Sequence, residues 1–246
     1  MKYDRKFYEK QVAIPTPCWQ ARGSRILQEL DLTPNDSVLD AGCGVGYYLH
    51  KISPLVSGVC VGVDLSSKAV RLANKQRTNG NTTWILGSIE HLPFRDEVFS
   101  RILCDNVIEH VPKYRDAIFE VARVLKTDGK LLMTTPNKQM YFPFEVIVRW
   151  WIDPKAGHLW RFSYGALKHF LEEAGLSVDK VHYHDHIFGI LHLAISYAIS
   201  KMHTEPYDQR VWQRAAHLLN ILNMLNERFN NPRLVHFHLI ATKHEI

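Results

Sequence analysis

Three glycines at alternate positions follow an aspartate in VLDAGCGVGYY, where Asp40 precedes Gly42, Gly44 and Gly46. A run of this kind lets the backbone turn sharply and approach a ligand with no Cβ in the way, and a helix starting just after it directs its N-terminal N–H groups at that ligand. The spacing is G-x-G-x-G with an acid before it, not the G-x-G-x-x-G of a dinucleotide fold. A second acid, Asp64 in VGVDLS, stands about twenty residues further on, where a carboxylate can accept hydrogen bonds from both hydroxyls of a ribose. As an alternative, Asp64 would only cap the next helix. Two histidines could move protons: His110 in NVIEHV and His158 in GHLWRFS. An imidazole near neutral pH suits general-base work, and either ring could instead bond nearby backbone. His182, His184 and His186 alternate in HYHDH, with His236 and His238 near the end of the chain. Alternation puts such residues on one face of a strand, so a metal site is geometrically open there; histidines covered by helices are the plainer account, and no metal is expected.

The elements that must position these residues alternate. Ser37–Asp40, Val59–Val63, Thr83–Leu86, Arg101–Cys104 and Lys130–Thr134 are short apolar runs bounded by turn residues, as buried parallel strands are. Ile118, Val121, Ala122 and Leu125 repeat at helical spacing, as do Leu167, Phe170, Leu171 and Ala174 before Gly175. This order predicts an α/β fold with helices on both faces of a doubly wound sheet and the ligand beyond the strands' carboxyl ends. The expected organisation is a single domain over 1–246: a helical cap over 1–33, a core over 34–136, an aromatic lid over 137–162 and a helical insertion over 187–233. A sixth strand is expected at Leu176–His184 and a last one at Leu234–Thr242, after helices across Ile187–Met202 and Trp212–Phe229.

The composition excludes several classes. The charge of +5 comes from scattered Lys and Arg with no continuous run, so nucleic acid is not the expected partner. Cys18, Cys43, Cys60 and Cys104 form no CxxC pair, which argues against a disulfide framework or structural zinc. MKYDRKFYEK lacks a signal-peptide core, so a cytoplasmic location is expected. FEVIVRWW and Ile187–Met202 leave peripheral membrane contact open, and the late helices could equally cover the sheet or form a homodimer face.

From Ser37 to Val178 the chain resembles the class I S-adenosylmethionine (SAM)-dependent methyltransferases. VLDAGCGVG is similar to their first motif, VGVDLS to their second, LGSIEHLPFRDEVFSRILCDNVIEHV to their third and fourth, and LKTDGKLLMTTPN to the fifth-strand motif. The resemblance implies a Rossmann-like seven-stranded sheet with an antiparallel last strand. It also implies that Asp40, Gly42, Cys43, Gly44 and Gly46 hold the methionyl part of SAM, Asp64 and Leu65 the ribose, and Ser88 and Ile89 the adenine edge. Asp105 would contact the cofactor through its backbone. The family usually has an acid at the Ser88 position. Within the class, DNVIEHVP, TTPN and PKAGH resemble the ubiquinone-biosynthesis O-methyltransferases. That likeness implies an arginine for the methionyl carboxylate, Arg22 with Arg25 as the second choice, and an E-x-x-E-H pattern in which Asn106 replaces the first acid.

Methyl transfer to a hydroxyl needs alignment, exclusion of water and a base, for which His110 is the first candidate and His158 the second. Tyr141, Phe142, Phe144, Trp150, Trp151 and Trp160 crowd the lid. That density suits a small apolar or aromatic acceptor, or else core packing under a long loop. Methylation of nitrogen or carbon, and binding of SAM without turnover, are the alternatives.

Overall fold

A computed structural model describes residues 17–76, 80–138, 157–184 and 236–245, with residues 17–22 and His184 described by backbone alone. Residues 139–156 of the expected lid and the whole expected insertion over 187–233 lie outside the described residues, as do Leu234 and Val235 of the expected last strand.

The elements in chain order are α1 (Pro17–Glu29), β1 (Val38–Ala41), α2 (Tyr47–Ile52), β2 (Cys60–Asp64), α3 (Ser67–Lys75), β3 (Thr82–Leu86), β4 (Phe99–Asp105), a 3-10 turn (Ile108–His110), α4 (Tyr114–Val124), β5 (Leu125–Pro136), α5 (Tyr164–Glu173), β6 (Leu176–His184) and β7 (His236–Lys243). They build one seven-stranded sheet in the order β3-β2-β1-β4-β5-β7-β6. The pairs among β1 to β5 are parallel, whereas β7 runs antiparallel to both β5 and β6. The chain winds outward from β1 toward β3 and then returns to β4 beside β1. Strand order reverses there, and the crevice at the carboxyl ends of β1 and β4 is where such sheets bind ligands.

Apolar periodicity explains both faces. Ile118, Val121 and Ala122 of α4 and Leu167 and Leu171 of α5 pack on Leu39, Ile102, Leu131, Phe237 and Leu239. Ile26 of α1 and Leu49 and Ile52 of α2 pack on Val38, Leu103, Leu132 and Ile240 from the other side. Fully burying one such side chain is worth about 1.5–3 kcal/mol, so two covered faces hold the sheet firmly. Ser66 and Ser163 start α3 and α5 by accepting the N–H of Ala69 and Ala166, each at 3.3 Å. Gly175, at φ +80°, lies between α5 and β6.

β5 is longer than the Lys130–Thr134 expected from hydropathy. Its pairing with β4 starts at Phe99↔Leu125, shifts, and resumes at Arg101↔Lys130. Asp128 takes a left-handed conformation (φ +60°) in the Asp-Gly corner between these stretches, so a sequence that reads as a turn is an irregularity inside a strand.

Candidate active site

The glycine loop is anchored before it turns. The N–H groups of Gly42 and Cys43 both donate to the Val63 carbonyl, at 2.8 and 3.0 Å, tying the end of β1 to β2. Gly42 and Gly46 adopt φ of +88° and +84°, and a Cβ there would stand 2.2 Å from Val107 and 2.3 Å from the Trp84 ring. No other residue type fits either position without displacing its neighbour. The Cys43 thiol is buried behind the loop, and burial together with Asp40 and Asp64 pushes its pKa well up, so it stays protonated.

Acids converge at the strand ends. Asp64 sits at the tip of β2, its Oδ2 accepting the Gly44 N–H (2.9 Å) and its Oδ1 the Ser66 N–H (2.8 Å). The cap of α3 is Ser66, so Asp64 is not the capping residue; it braces the glycine loop from the end of β2. Asp40 is 2% exposed, and its Oδ2 has no hydrogen-bond partner among the described residues. Burial, reinforced by Asp105 and Asp64, raises its pKa well above the ordinary carboxylate range, and burial also raises that of Asp64. Tyr48 donates to Asp105 Oδ2 at 3.0 Å and Thr134 to Oδ1. Acids held together in this way are strongly complementary to a ligand carrying positive charge. Leu65 and Leu86, which is paired with Asp64, are 72% and 57% exposed and give the end of β2 and β3 an apolar surface.

The expected adenine-edge residues follow β3. Ile89 is buried, and the Ser88 hydroxyl accepts the Glu90 N–H (3.1 Å) and donates to the Glu90 carboxylate (3.2 Å). Sequence reasoning passed over Glu90, although an acid two residues beyond the usual acidic position is visible in GSIEH. Arg22 lies on α1, with its side chain outside the described residues. Arg25 sits close enough to His182 to disfavour protonation of that ring.

A second constellation gathers after β4. His110 Nδ1 lies 3.0 Å from the Gly157 carbonyl. A carbonyl only accepts, so Nδ1 carries the proton and Nε2 is the basic nitrogen. Burial lowers the His110 pKa, the Gly157 contact opposes this, and neighbouring His158 adds to the lowering, so the ring is neutral at pH 7. The His110 and His158 centroids are 5.0 Å apart. Glu109 is fully buried, and Thr135 donates to its Oε2 at 3.2 Å. The ligand atoms of Glu109, His110 and His158 lie within 4.8 Å of one another. Asn106, just upstream, adopts φ +52° and donates its N–H to Thr134.

The closing end of the expected lid is fastened to this rim. Leu159 and Trp160 donate their N–H groups to the Glu109 carbonyl (2.8 and 3.1 Å), and Trp160 Nε1 donates to the Val111 carbonyl (2.9 Å). A bridge between Asn137 and Phe162 brings its two ends together. Tyr114 stacks edge-on against Trp160 and Phe162, each at 5.1 Å.

Of the strand histidines, His182 and His238 face each other across β6 and β7. His184 pairs with His236 in backbone register, and His186 lies outside the described residues. Sequence reasoning missed Glu29 of α1, which meets both His182 and His238. No local pattern could signal a contact between opposite ends of the chain.

The fold agrees with known proteins. A family described as a methyltransferase domain matches residues 39–133. The methyltransferase YcgJ of Bacillus subtilis is 38% identical over 99 residues, 39% of each chain. The mitochondrial ubiquinone biosynthesis O-methyltransferase of Schizosaccharomyces pombe is 29% identical over 124 residues, 48% of this chain and 44% of the other. Among the relatives of highest similarity, the matches span 39% to 51% of the relative's own length. The Haemonchus contortus phosphoethanolamine N-methyltransferase 2, solved in complex with SAM, superposes with a TM-score of 0.67 at 15% identity, over 94% of this chain and 54% of the other. Residues 39–133 therefore match a methyltransferase domain, and they lie in a seven-stranded sheet that superposes on that of a SAM-binding methyltransferase.

Proposed function

We propose that the protein transfers the methyl group of SAM to the hydroxyl of a small, hydrophobic acceptor. The crevice fits this cofactor: Asp40, buried with an oxygen that finds no partner among the described residues, complements a ligand that carries an ammonium and a sulfonium. In this reading Gly42, Cys43, Gly44 and Gly46 present backbone to the methionyl part, with Asp40 beneath, and Arg22 meets its carboxylate. Asp64 accepts the ribose hydroxyls on lone pairs not used by Gly44 and Ser66, beside Leu65. Ile89 and the Ser88–Glu90 pair border the adenine, and Asp105 is steadied by Tyr48 and Thr134 so that its backbone meets the cofactor.

When bound, SAM supplies an electrophilic methyl on a sulfonium, so the protein contributes alignment, dryness and a base. The observation that carries the hydroxyl assignment is the His110–Gly157 contact, which leaves Nε2 as the basic nitrogen of a ring whose pKa burial lowers. A phenol titrates near pH 10 and gains from a base placed to take its proton as the new bond forms. His158 stands beside that ring and is the second candidate for the role. Trp160, held against Tyr114 on the lid's closing end, favours an apolar or aromatic acceptor.

No described helix is long and apolar enough to cross a membrane. The test is a turnover screen with labelled SAM against phenols, lipid alcohols and amines side by side. Labelled methyl recovered as an ether supports the assignment; label found only on amines or carbon overturns the choice of acceptor atom. SAM bound without formation of S-adenosylhomocysteine overturns the enzyme reading.

A further inference from the structure

We propose that Glu29, His182 and His238 form a binding site for a divalent transition-metal ion, zinc being the best match, that fastens α1 to the β6–β7 edge of the sheet. None of its three residues belongs to the glycine loop or to the His110 rim. Its donors come from the C-terminal turn of α1 and from neighbouring positions on two paired strands. His182 and His238 are opposite one another in the β6–β7 register, so their rings leave the same face, 5.2 Å apart and tilted by 31°.

Both Nε2 atoms point at one carboxylate and reach different oxygens. His182 Nε2 lies 3.3 Å from Glu29 Oε1, and His238 Nε2 lies 2.5 Å from Glu29 Oε2. The donor atoms of the set fall within 4.8 Å of one another. Two ligands on a tetrahedral zinc with bonds of about 2.0–2.1 Å stand roughly 3.3–3.4 Å apart, so the His182–Glu29 spacing already suits the ion and the His238–Glu29 contact must open by less than about 1 Å. With the Nε2 protons lost, two ring lone pairs and the carboxylate would converge on one point.

Burial and chemistry point the same way. The His238 side chain is 2% exposed and that of Glu29 11%, while His182 at 30% leaves an entry path. Two imidazoles and a carboxylate are donors that zinc accepts, unlike the oxygen-only cages of calcium and magnesium. His236 projects from the same face of β7, two residues before His238, and marks the side from which a fourth donor can approach. Lys180 Nζ stands 3.6 Å from Glu29 Oε1; its side chain is 52% exposed and can swing into water when a cation takes its place.

The experiment uses the full untagged chain, stripped of metal with a chelator and titrated with zinc chloride by calorimetry. Bound zinc is counted after gel filtration, and circular dichroism checks the fold of each variant. One zinc per chain is expected, with a zinc-dependent rise in Tm. His182→Ala and Glu29→Gln, at positions not fully buried, should each weaken binding by at least about tenfold, since loss of even an outer-shell partner costs that much. The double variant His110→Ala/His158→Ala should bind zinc as the unaltered protein does. Absence of stoichiometric zinc overturns the site. So does zinc that survives His182→Ala and Glu29→Gln, or zinc lost with the double variant. Cobalt in place of zinc gives a second readout: an intense visible spectrum that disappears in His182→Ala supports the site, and an unchanged one overturns it.

Discussion

The crevice has two rims, built by different means. On the rim proposed to hold the cofactor, Asp40, Asp64 and Asp105 sit at the ends of adjacent parallel strands, and a glycine loop a few residues long does the rest. On the rim proposed to face the acceptor, Glu109 and His110 follow β4 in sequence, yet their partners Gly157, His158 and Trp160 come from the closing end of the expected lid. The first rim is a product of local backbone and the second of assembly across the chain. Damage to the first should show as lost affinity for SAM, and damage to the second as lost turnover with SAM affinity intact.

The largest effect is expected on the acceptor rim. His110→Ala should lower kcat by about 10²–10⁴-fold, the range of general-base catalysis, with SAM affinity unchanged by calorimetry. The pH profile sharpens this. Because burial holds the His110 pKa below its ordinary value, the neutral base persists to lower pH than a free imidazole would allow. Turnover should rise with pH through that lowered value and be level by pH 7, and this acid limb should vanish in the variant. Equal rates in the two proteins would remove His110 as the base.

On the cofactor rim, Asp64→Asn should weaken SAM binding by about a hundredfold, near 3 kcal/mol, through loss of charge-assisted bonds to the ribose. The new amide also sets an NH₂ against the N–H of Gly44 or Ser66, so the loop loosens as well. Unchanged affinity would undo the cofactor assignment. Asp40→Asn should give a smaller and more diagnostic result. The folded-state pKa of Asp40 is raised, so its cost to the ligand-free fold is absent below the unfolded value near 4 and grows as the pH rises above that. The variant should therefore melt a few degrees higher at pH 7, at about 2–4 °C per kcal/mol for a chain of this size, and gain nothing at pH 3. Its affinity for SAM should drop by about tenfold, near 1.4 kcal/mol. In the unaltered protein, affinity should fall as acidification protonates Asp40; an equally steep fall in the variant would show that another group is responsible.

The two rims also differ in how much of them the sequence revealed. Strands β1 to β4, the glycine loop and Asp64 were legible because their signals are local: apolar runs between turn residues, glycines where no Cβ fits, an acid at a strand end. The placement of His110 after β4 was legible for the same reason. Its tautomer was not, because that depends on the Gly157 carbonyl, far along the chain at the closing end of the expected lid. The fifth strand was expected only from Lys130, where the apolar run begins; β5 starts at Leu125 because β4 pairs on both sides of the Asp128 corner, at Leu125 and again from Lys130. Glu29 was invisible as a partner of His182 and His238 because helix periodicity shows which side of α1 is apolar and nothing of what its last turn meets.

The smallest effect probes how Trp160 is fastened to the acceptor rim. Trp160→Phe keeps an aromatic ring against Tyr114 and deletes only the Nε1 bond to the Val111 carbonyl. One neutral hydrogen bond is worth about 0.5–1.5 kcal/mol, so the KM for the acceptor should rise roughly two- to tenfold. The backbone bonds from Leu159 and Trp160 to Glu109 are independent of the side chain, so the segment beside His158 should stay docked and kcat should change little. A larger fall in kcat than rise in KM would mean that Trp160 orients the histidine pair itself, and the acceptor rim would then be a single unit from Glu109 to the lid.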